Sequence, residues 1–383
     1  MALLGDIFFP DPSTREYVAE QMGGRLEVKT DYDAIDITIS GKATEFERMV
    51  DFLRGALVTT QISPENVTQA RAARLKQMAS APSSAAQIAD DAIAARLFGR
   101  FPYGHPPGGT LESVSKVDRA DLLLARERFL NPDTSTLVVI GGIEKGRAMR
   151  ALRQLLGQWR KGDAVVPPTF RPPDPPDARV LIVNQAGSAN AEVRVAVRGL
   201  ARADRDYAAA VVLALIAGDR WRAAMPETSS GVVHHQTQAL PGMFVIGASV
   251  SSASASKAIA SARDLMSALA IAAPSPAEIE RARSAALAEL SQQSVQTEPI
   301  ADFWLDHERY SLPPYSDQLN ALRAVTAADV QRVAARLFQD AHVASVAVGN
   351  SDQLKANLGS TAELYLESSP KAVPISVKPA SKP

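Results

Sequence analysis

The sequence predicts an α+β protein of two tandem, similar domains, each a mainly antiparallel sheet with helices packed on one face. Three observations carry that reading. First, Ser63–Leu75 reads SPENVTQARAARL and Ser275–Leu287 reads SPAEIERARSAAL, the same pattern at an offset of 212 residues. Second, Val117-Asp118-Arg119-Ala120-Asp121-Leu122, a helix, Phe129 and a strand ending Val139-Ile140-Gly141 are echoed by Val325-Thr326-Ala327-Ala328-Asp329-Val330, Phe338 and Val346-Ala347-Val348-Gly349, at an offset near 208. Third, strand pairs are mixed with helical patterns inside each half, as when helices are laid on a sheet. So long a period belongs to domains with their own cores rather than to a solenoid.

Residues 1–162 form the first expected domain. Met1–Asp6 reads as the end of an apolar helix, because the same pattern recurs inside the second half as Leu213–Asp219. There it follows strands Arg179–Asn184 and Ala191–Val197 and a helix over Asp204–Ala217. The first domain is therefore expected to lack its first elements, some 35–40 residues by comparison with its twin, and to be the less stable one. A short helix, Thr14–Met22, and a Gly23-Gly24 turn precede paired strands Arg25–Thr30 and Ala34–Ser40, the second alternating Ile35, Ile37 and Ile39. Thr44-x-x-Glu47 has the form of a capping box opening a helix whose Phe46, Met49, Val50, Leu53 and Leu57 share a face. Ser63-Pro64 starts the next helix, with a Ser N-cap and Pro at the first position. An alanine-rich helix from Ser84 to Phe98, a Pro/Gly loop over 101–109, helix Asp118–Phe129, strand Ser135–Ile140 and helix Lys145–Trp159 complete the half.

Residues 163–177, rich in proline, predict an extended linker, 178–355 the second domain, and 356–383 a disordered tail. A 46% hydrophobic and 22% charged composition is ordinary for a globular chain, and a net charge of −1 gives no reason to expect nucleic acid or an anionic membrane as partner. Cysteine is absent, which removes disulfides and thiolate metal sites. No apolar run reaches the length of a membrane helix. The first residues lack the basic start and small-residue cleavage site of a signal peptide, and the compartment, periplasmic or cytoplasmic in a bacterium, stays open.

The order of elements resembles the pitrilysin/insulinase-type zinc metallopeptidases, in particular their processing-peptidase branch. Met22-Gly23-Gly24 before a strand pair, Ser63-Pro64 opening the long helix, Phe101-Pro102-Tyr103-Gly104 with Gly108-Gly109, and Asn131-Pro132 before the strand reaching Gly141-Gly142 carry the likeness over nearly all of residues 1–350. The resemblance implies two halves closing as a chamber. It also implies zinc held by an inverted His-x-x-Glu-His helix and a glutamate from a later helix, with one position open for water. This sequence departs from that pattern. None of His105, His234, His235, His307 and His342 lies in the motif, which would fall before Met1. After Glu65 the Ser63 helix offers Gln69, Arg71, Arg74, Lys76 and Gln77, a basic face unsuited to a divalent cation.

The resemblance thus implies a non-catalytic subunit that helps enclose and orient extended peptides, captured by strand addition, for a catalytic partner carrying the motif and the zinc. This chain itself would hold no cofactor. The alternative is a non-enzymatic scaffold subunit with the same fold, and a truncated copy of an active enzyme is disfavoured by the basic helix. By the same resemblance Arg309 and Tyr315 are the candidate substrate-binding residues, with Tyr310 the weaker one. The plainer reading of Asp302–Tyr315 is that Phe303 and Trp304 pack in a core and Arg309 ends a helix in solvent. His234 and His235, adjacent on a strand, point to opposite faces and cannot chelate one ion, His105 reads as structural, and Arg71 and Arg283, at equivalent positions, read as a structural contact common to both halves.

Overall fold

The computed structural model describes residues 1–80, 84–162, 169–226, 230–295, 297–359 and 362–367. Local chemistry accounts for many of the element boundaries. At the two copies of the Ser-Pro start, Ser63 Oγ accepts from Asn66 N at 3.2 Å, and Ser275 forms a reciprocal capping box with Glu278. The helices following Val117 and Val325 are likewise opened by capping boxes, Asp118 with Asp121 and Thr326 with Asp329.

The first half runs α1 (Ala2–Phe8), α2 (Pro12–Glu20), β1 (Leu26–Thr30), β2 (Ile35–Ile39), α3 (Phe46–Arg54), α4 (Pro64–Ser80), α5 (Ala85–Phe98), α6 (Leu111–Lys116), α7 (Arg119–Phe129) and α8 (Lys145–Leu156). The second runs β3 (Val180–Asn184), β4 (Asn190–Arg198), α9 (Tyr207–Ala224), β5 (Gly231–Gln236), β6 (Met243–Ser251), α10 (Ala255–Ile271), α11 (Pro276–Gln293), α12 (Thr297–Arg309), α13 (Tyr315–Ala324), α14 (Ala327–Phe338), β7 (Ala344–Gly349), α15 (Ser351–Leu358) and β8 (Ala362–Glu367).

In the second half six strands lie in the order β5-β6-β4-β7-β3-β8, antiparallel as far as β7 and parallel between β7, β3 and β8. One face, with Val193, Val195, Val197, Phe244, Ile246 and Ala347, packs against the half's own helices in the largest core. The expectation of helices on one face needs an addition here. The other face, with Leu181, Val183, Ala196, Val245, Val346 and Val348, is covered by α5 of the first half through Ala89, Ile93, Leu97 and Phe98. Alanines on α5 let its backbone come close to the sheet, and both faces leave water. Arg194 on β4 is 2% exposed and crosses to the same helix, donating Nε to Asp90 Oδ1 at 2.6 Å, with Nη1 on Glu192 at 3.1 Å. Gly247 makes room for it: a Cβ there would lie 2.6 Å from Arg194 Cδ.

Three further expectations change. Thr44 and Glu47 form no capping box; α3 enters from a single 3₁₀ turn, and Glu47 is drawn instead to Arg147 on α8, with bonds of 2.6 and 2.7 Å. Ser135–Ile140 enters no ladder among the described residues, and the first half's sheet is the two-stranded β1–β2 pair. The reason is pairing rather than propensity: the equivalent β7 is a strand because β3 and β4 flank it. Residues 362–367, assigned by sequence to the tail, form β8 on the edge of the sheet beside β3. Residues 356–358, also assigned to the tail, close α15, while 360–361, 368–383 and the linker residues 163–168 lie outside the described residues. The rest of the linker is extended but anchored, since Arg198 donates to the carbonyls of Pro173 and Asp174, and Phe170 meets Phe101 edge-on at 5.7 Å.

The helix that carries the second copy of the repeat is held to α9 by Arg220, which grips Glu278 at 2.7 and 3.2 Å and brings that carboxyl down to about 2. A lowered folded-state pKa stabilises the fold above the ordinary carboxylate range and the stabilisation fades as pH falls toward 2. Glu278→Gln is expected to lower stability at neutral pH by about 1 kcal/mol, allowing for the solvent around the pair. In urea unfolding at a series of pH values, the gap from the unaltered protein should close below the usual carboxylate range; a constant gap contradicts the assignment.

Candidate functional site

The two halves meet at the turn of the first half's hairpin. Asp31, Asp33 and Asp36 place three carboxylates within six residues. Asp31 Oδ1 accepts from the backbone N of Asp33 and of Ala34, both at 2.7 Å, an Asx turn that reverses the chain. The oxygens left over face outward and are taken up by other elements. Arg309, at the end of α12, donates Nη1 to Asp31 Oδ2 at 3.2 Å and Nη2 to Asp36 Oδ1. Tyr310 donates its hydroxyl to Asp33 Oδ2 at 3.0 Å, and Ala239 N, in the loop between β5 and β6, donates to the same oxygen at 2.8 Å. Tyr103, from the Pro/Gly loop after α5, donates to Asp33 Oδ1 at 3.2 Å and accepts from Leu240 N at 2.9 Å. One acidic turn is thus gripped by α12, by the β5–β6 loop and by its own half.

Burial sets the electrostatics. It pushes the phenols of Tyr103 and Tyr310 up, so both stay protonated and donate. It also penalises the charge on Arg309, yet the pull of Asp36, with Tyr310 and Asp31, outweighs it and raises the guanidinium. For Asp36 the balance is the reverse: burial exceeds the attraction of Arg309, and the carboxyl sits above its ordinary value. Asp306, 3.8 Å from Arg309, is likewise raised by burial. Arg309, 18% exposed, therefore balances more than one carboxylate at once.

The two substrate-binding candidates are not brought onto a common partner. Arg309 engages Asp31, Asp36 and Asp306, whereas Tyr315 opens α13, accepts from Ser294 Oγ at 3.1 Å and stands edge-on to Phe303 at 5.6 Å. Tyr310 is the residue that shares the hairpin turn with Arg309. Phe303 is buried and Trp304 is 43% exposed, so the core reading holds for the first ring. Sequence reasoning missed Asp31, Asp33, Asp36 and Tyr103 as a group. The available signal was a hairpin turn with more carboxylates than an Asx turn uses.

The metal implied by the resemblance can be tested against the residues present. The helix from which the resemblance implies a glutamate ligand, α4, packs against α1. The single carboxylate of α1, Asp6, accepts from Arg74 Nη1 at 2.8 Å, and the same guanidinium reaches the carbonyl of Gly108 at 3.0 and 3.1 Å. A fixed cation between these helices does not fit a zinc ion. Among the described residues no group of three His, Asp or Glu side chains could hold a metal.

The remaining candidates have structural roles. Arg71 donates to the carbonyl of Val117 at 2.8 Å and Arg283 to that of Arg323 at 3.1 Å, so both copies tie their helix to the end of the segment before α7 or α14. His235 accepts from Leu200 N through Nε2 at 3.0 Å, and burial lowers it to about 4; His234 is exposed on the other side of β5.

Residues 116–286 match the sequence profile described as the peptidase M16 inactive domain. A protein of Mycobacterium leprae described as an uncharacterized zinc protease is 24% identical over 159 residues, which are 40% of this chain and 36% of that protein's length. The fold is similar to that of a protease from Helicobacter pylori, with a TM-score of 0.81 at 14% identity, covering 90% of this chain and 88% of the other. It is also similar to a peptidase M16 inactive domain from Pseudomonas fluorescens, with a TM-score of 0.78 at 17% identity, covering 91% and 87%.

Removing the cation from the turn gives a direct check on it. Arg309→Ala leaves Asp31, Asp36 and Asp306 without that guanidinium and is expected to destabilise by about 1–3 kcal/mol at neutral pH. Because burial raises the carboxyls of Asp36 and Asp306 above their ordinary value, acidification should shrink this penalty. Urea midpoints measured between neutrality and mild acid report it, with Tyr315→Phe as the variant that leaves the turn unaltered. A penalty that grows on acidification contradicts the assignment.

Proposed function

We propose that this chain, whose residues 116–286 match the peptidase M16 inactive domain, is a non-catalytic subunit of a zinc metalloendopeptidase, enclosing and orienting peptide substrates for a partner subunit. The observation that carries the reading is the Arg74–Asp6 pair. It fixes a guanidinium of α4, the helix from which the resemblance implies a glutamate ligand, against a carboxylate of α1. The matched profile is that of the inactive domain. In this reading zinc and the water it activates belong to the partner, and no chemical step is assigned to side chains of this chain.

What the chain supplies is shape and hydrogen bonding. Two halves joined at the acidic turn form one wall of a chamber. β5 is the edge strand of the six-stranded sheet and is suited to pair with an extended peptide. Arg309 and Tyr315 are the proposed side-chain contacts; for Arg309 this means exchanging the turn's carboxylates for a peptide carbonyl. A second reading, a scaffold subunit without a role in turnover, is favoured by that same engagement of Arg309 within the chain.

Reconstitution with a companion chain that carries the motif distinguishes them. The purified chain alone is expected to hydrolyse no peptide, and the pair to cleave quenched fluorescent peptides. Tyr315→Phe, which leaves the turn intact, should lower kcat/KM of the pair about tenfold with assembly unchanged. If the companion turns over equally well without this chain, the proposal fails. If Arg309 and Tyr315 variants alter assembly and never turnover, the scaffold reading replaces it.

A further inference from the structure

A cleft of about 500 Å³ lies where the turn between α3 and α4 meets α7, lined by residues 58–64 and by Arg119 and Arg126. Arg126 donates Nη1 to the carbonyl of Thr60 and Nη2 to that of Val58 at 3.3 Å, and Arg119 donates Nε to the carbonyl of Ile62 at 2.6 Å. These acceptors lie within five residues of one another, which brings both guanidinium heads to the same short turn. They are also neutral, so both positive charges remain. Neither guanidinium is ion-paired to a carboxylate among the described residues. Glu65 does sense Arg119, but its carboxyl is lowered first by its own backbone N–H and then by the Ser63 hydroxyl, which hold it at the start of α4.

The internal repeat shows that the fold does not require these cations. Aligned on the capping boxes of Asp118 and Thr326, Arg119 and Arg126 correspond to Ala327 and Ala334 on α14. Aligned on the two Ser-Pro starts, Thr59-Thr60-Gln61-Ile62 corresponds to Ile271-Ala272-Ala273-Pro274. Ala334 is fully buried and Ala327 packs against the main core, so in the second half the junction closes without an arginine at either place. The helix before the turn differs too. In the second half α10 stays α-helical to Ile271, whereas α3 widens into a π turn over Gly55–Thr59, an irregularity that recurs at functional sites. Beyond it, the backbone N–H groups of Gln61, Ile62 and Ser63 donate to no backbone acceptor among the described residues; the twin has a proline, with no N–H, in place of Ile62.

We propose that this cleft is a binding site for a phosphate group, with Arg119 and Arg126 as its charged contacts. Two uncompensated guanidinium charges match a dianion, and a phosphate carries about −1.5 to −2 at pH 7 with several acceptor oxygens. A carboxylate, with one charge, would leave one guanidinium unbalanced. Arg119 keeps both terminal nitrogens for the ligand and Arg126 keeps Nε, the forked donors that phosphate oxygens accept from best. The backbone N–H groups of the turn are further donors for an anion. The phosphate is the inorganic ion or the head of a small phosphomonoester, and the same contacts serve both. Nothing in this assignment depends on the proposed peptidase role.

Calorimetric titration of the full chain with inorganic phosphate, at an ionic strength held constant with chloride, tests the site. One saturable site is expected, and hydrogen exchange read by mass spectrometry should slow over 59–63 as it fills. Arg119→Ala, which installs the twin's residue and leaves the contacts of Arg126 in place, should weaken phosphate binding about tenfold. Arg126→Ala should weaken it by a similar factor, and urea midpoints measured without phosphate separate a lost ligand contact from a lost fold. Glycerol phosphate distinguishes the two sources: tighter binding than the inorganic ion assigns the cleft to a phosphomonoester, and binding no tighter assigns it to the free ion. Three outcomes overturn the proposal: phosphate with no more effect than chloride, an unchanged affinity in Arg119→Ala, or protection by phosphate that appears elsewhere in the chain and not over 59–63.

Discussion

A six-stranded sheet has two apolar faces, and its own half covers only one of them. The other is removed from water by α5, a helix that comes from the far half of the chain. This exchange constrains much else. It requires Arg194, buried in the sheet, to find its carboxylate on that helix. It fixes the Pro/Gly loop after α5, so that Tyr103 reaches both the acidic turn and the β5–β6 loop. In the reverse direction α12 sends Arg309 and Tyr310 onto the hairpin of the first half. Each half thus completes the other.

The proposed function rests on how that frame treats charge. Between α1 and α4 the chain sets Arg74 against Asp6. At the junction of the halves it gathers carboxylates and balances them with Arg309. Both arrangements use arginine as a fixed multi-donor bridge.

Much of this was legible in sequence, because the repeat and its helix starts are local. Ser275 with Glu278, Asp118 with Asp121 and Thr326 with Asp329 cap helices where their spacing predicts. The failures are all non-local. Thr44 and Glu47 have the spacing of a capping box, but Arg147, a hundred positions away, holds the glutamate. Ser135–Ile140 has strand chemistry and no neighbouring strand, and propensity cannot report that. The apolar residues around α5 could be read as one more helix of the first domain; that they fit the second half's sheet is visible only in three dimensions. At the candidate site Arg309 and, as the weaker candidate, Tyr310 were named through the resemblance, while Tyr103 and the aspartates were not, because a turn rich in Asp is also what ordinary loop chemistry produces.

The mutual completion of the halves is the central claim, and native-state hydrogen exchange across a urea series tests it most directly. Amides of α5 and of β7 should converge on one opening free energy, since exposing the helix uncovers the face of the sheet it protects. If α5 opens together with α4 and α7 at low urea while β7 keeps its full protection, the halves are independent domains in mere contact, and the account is wrong.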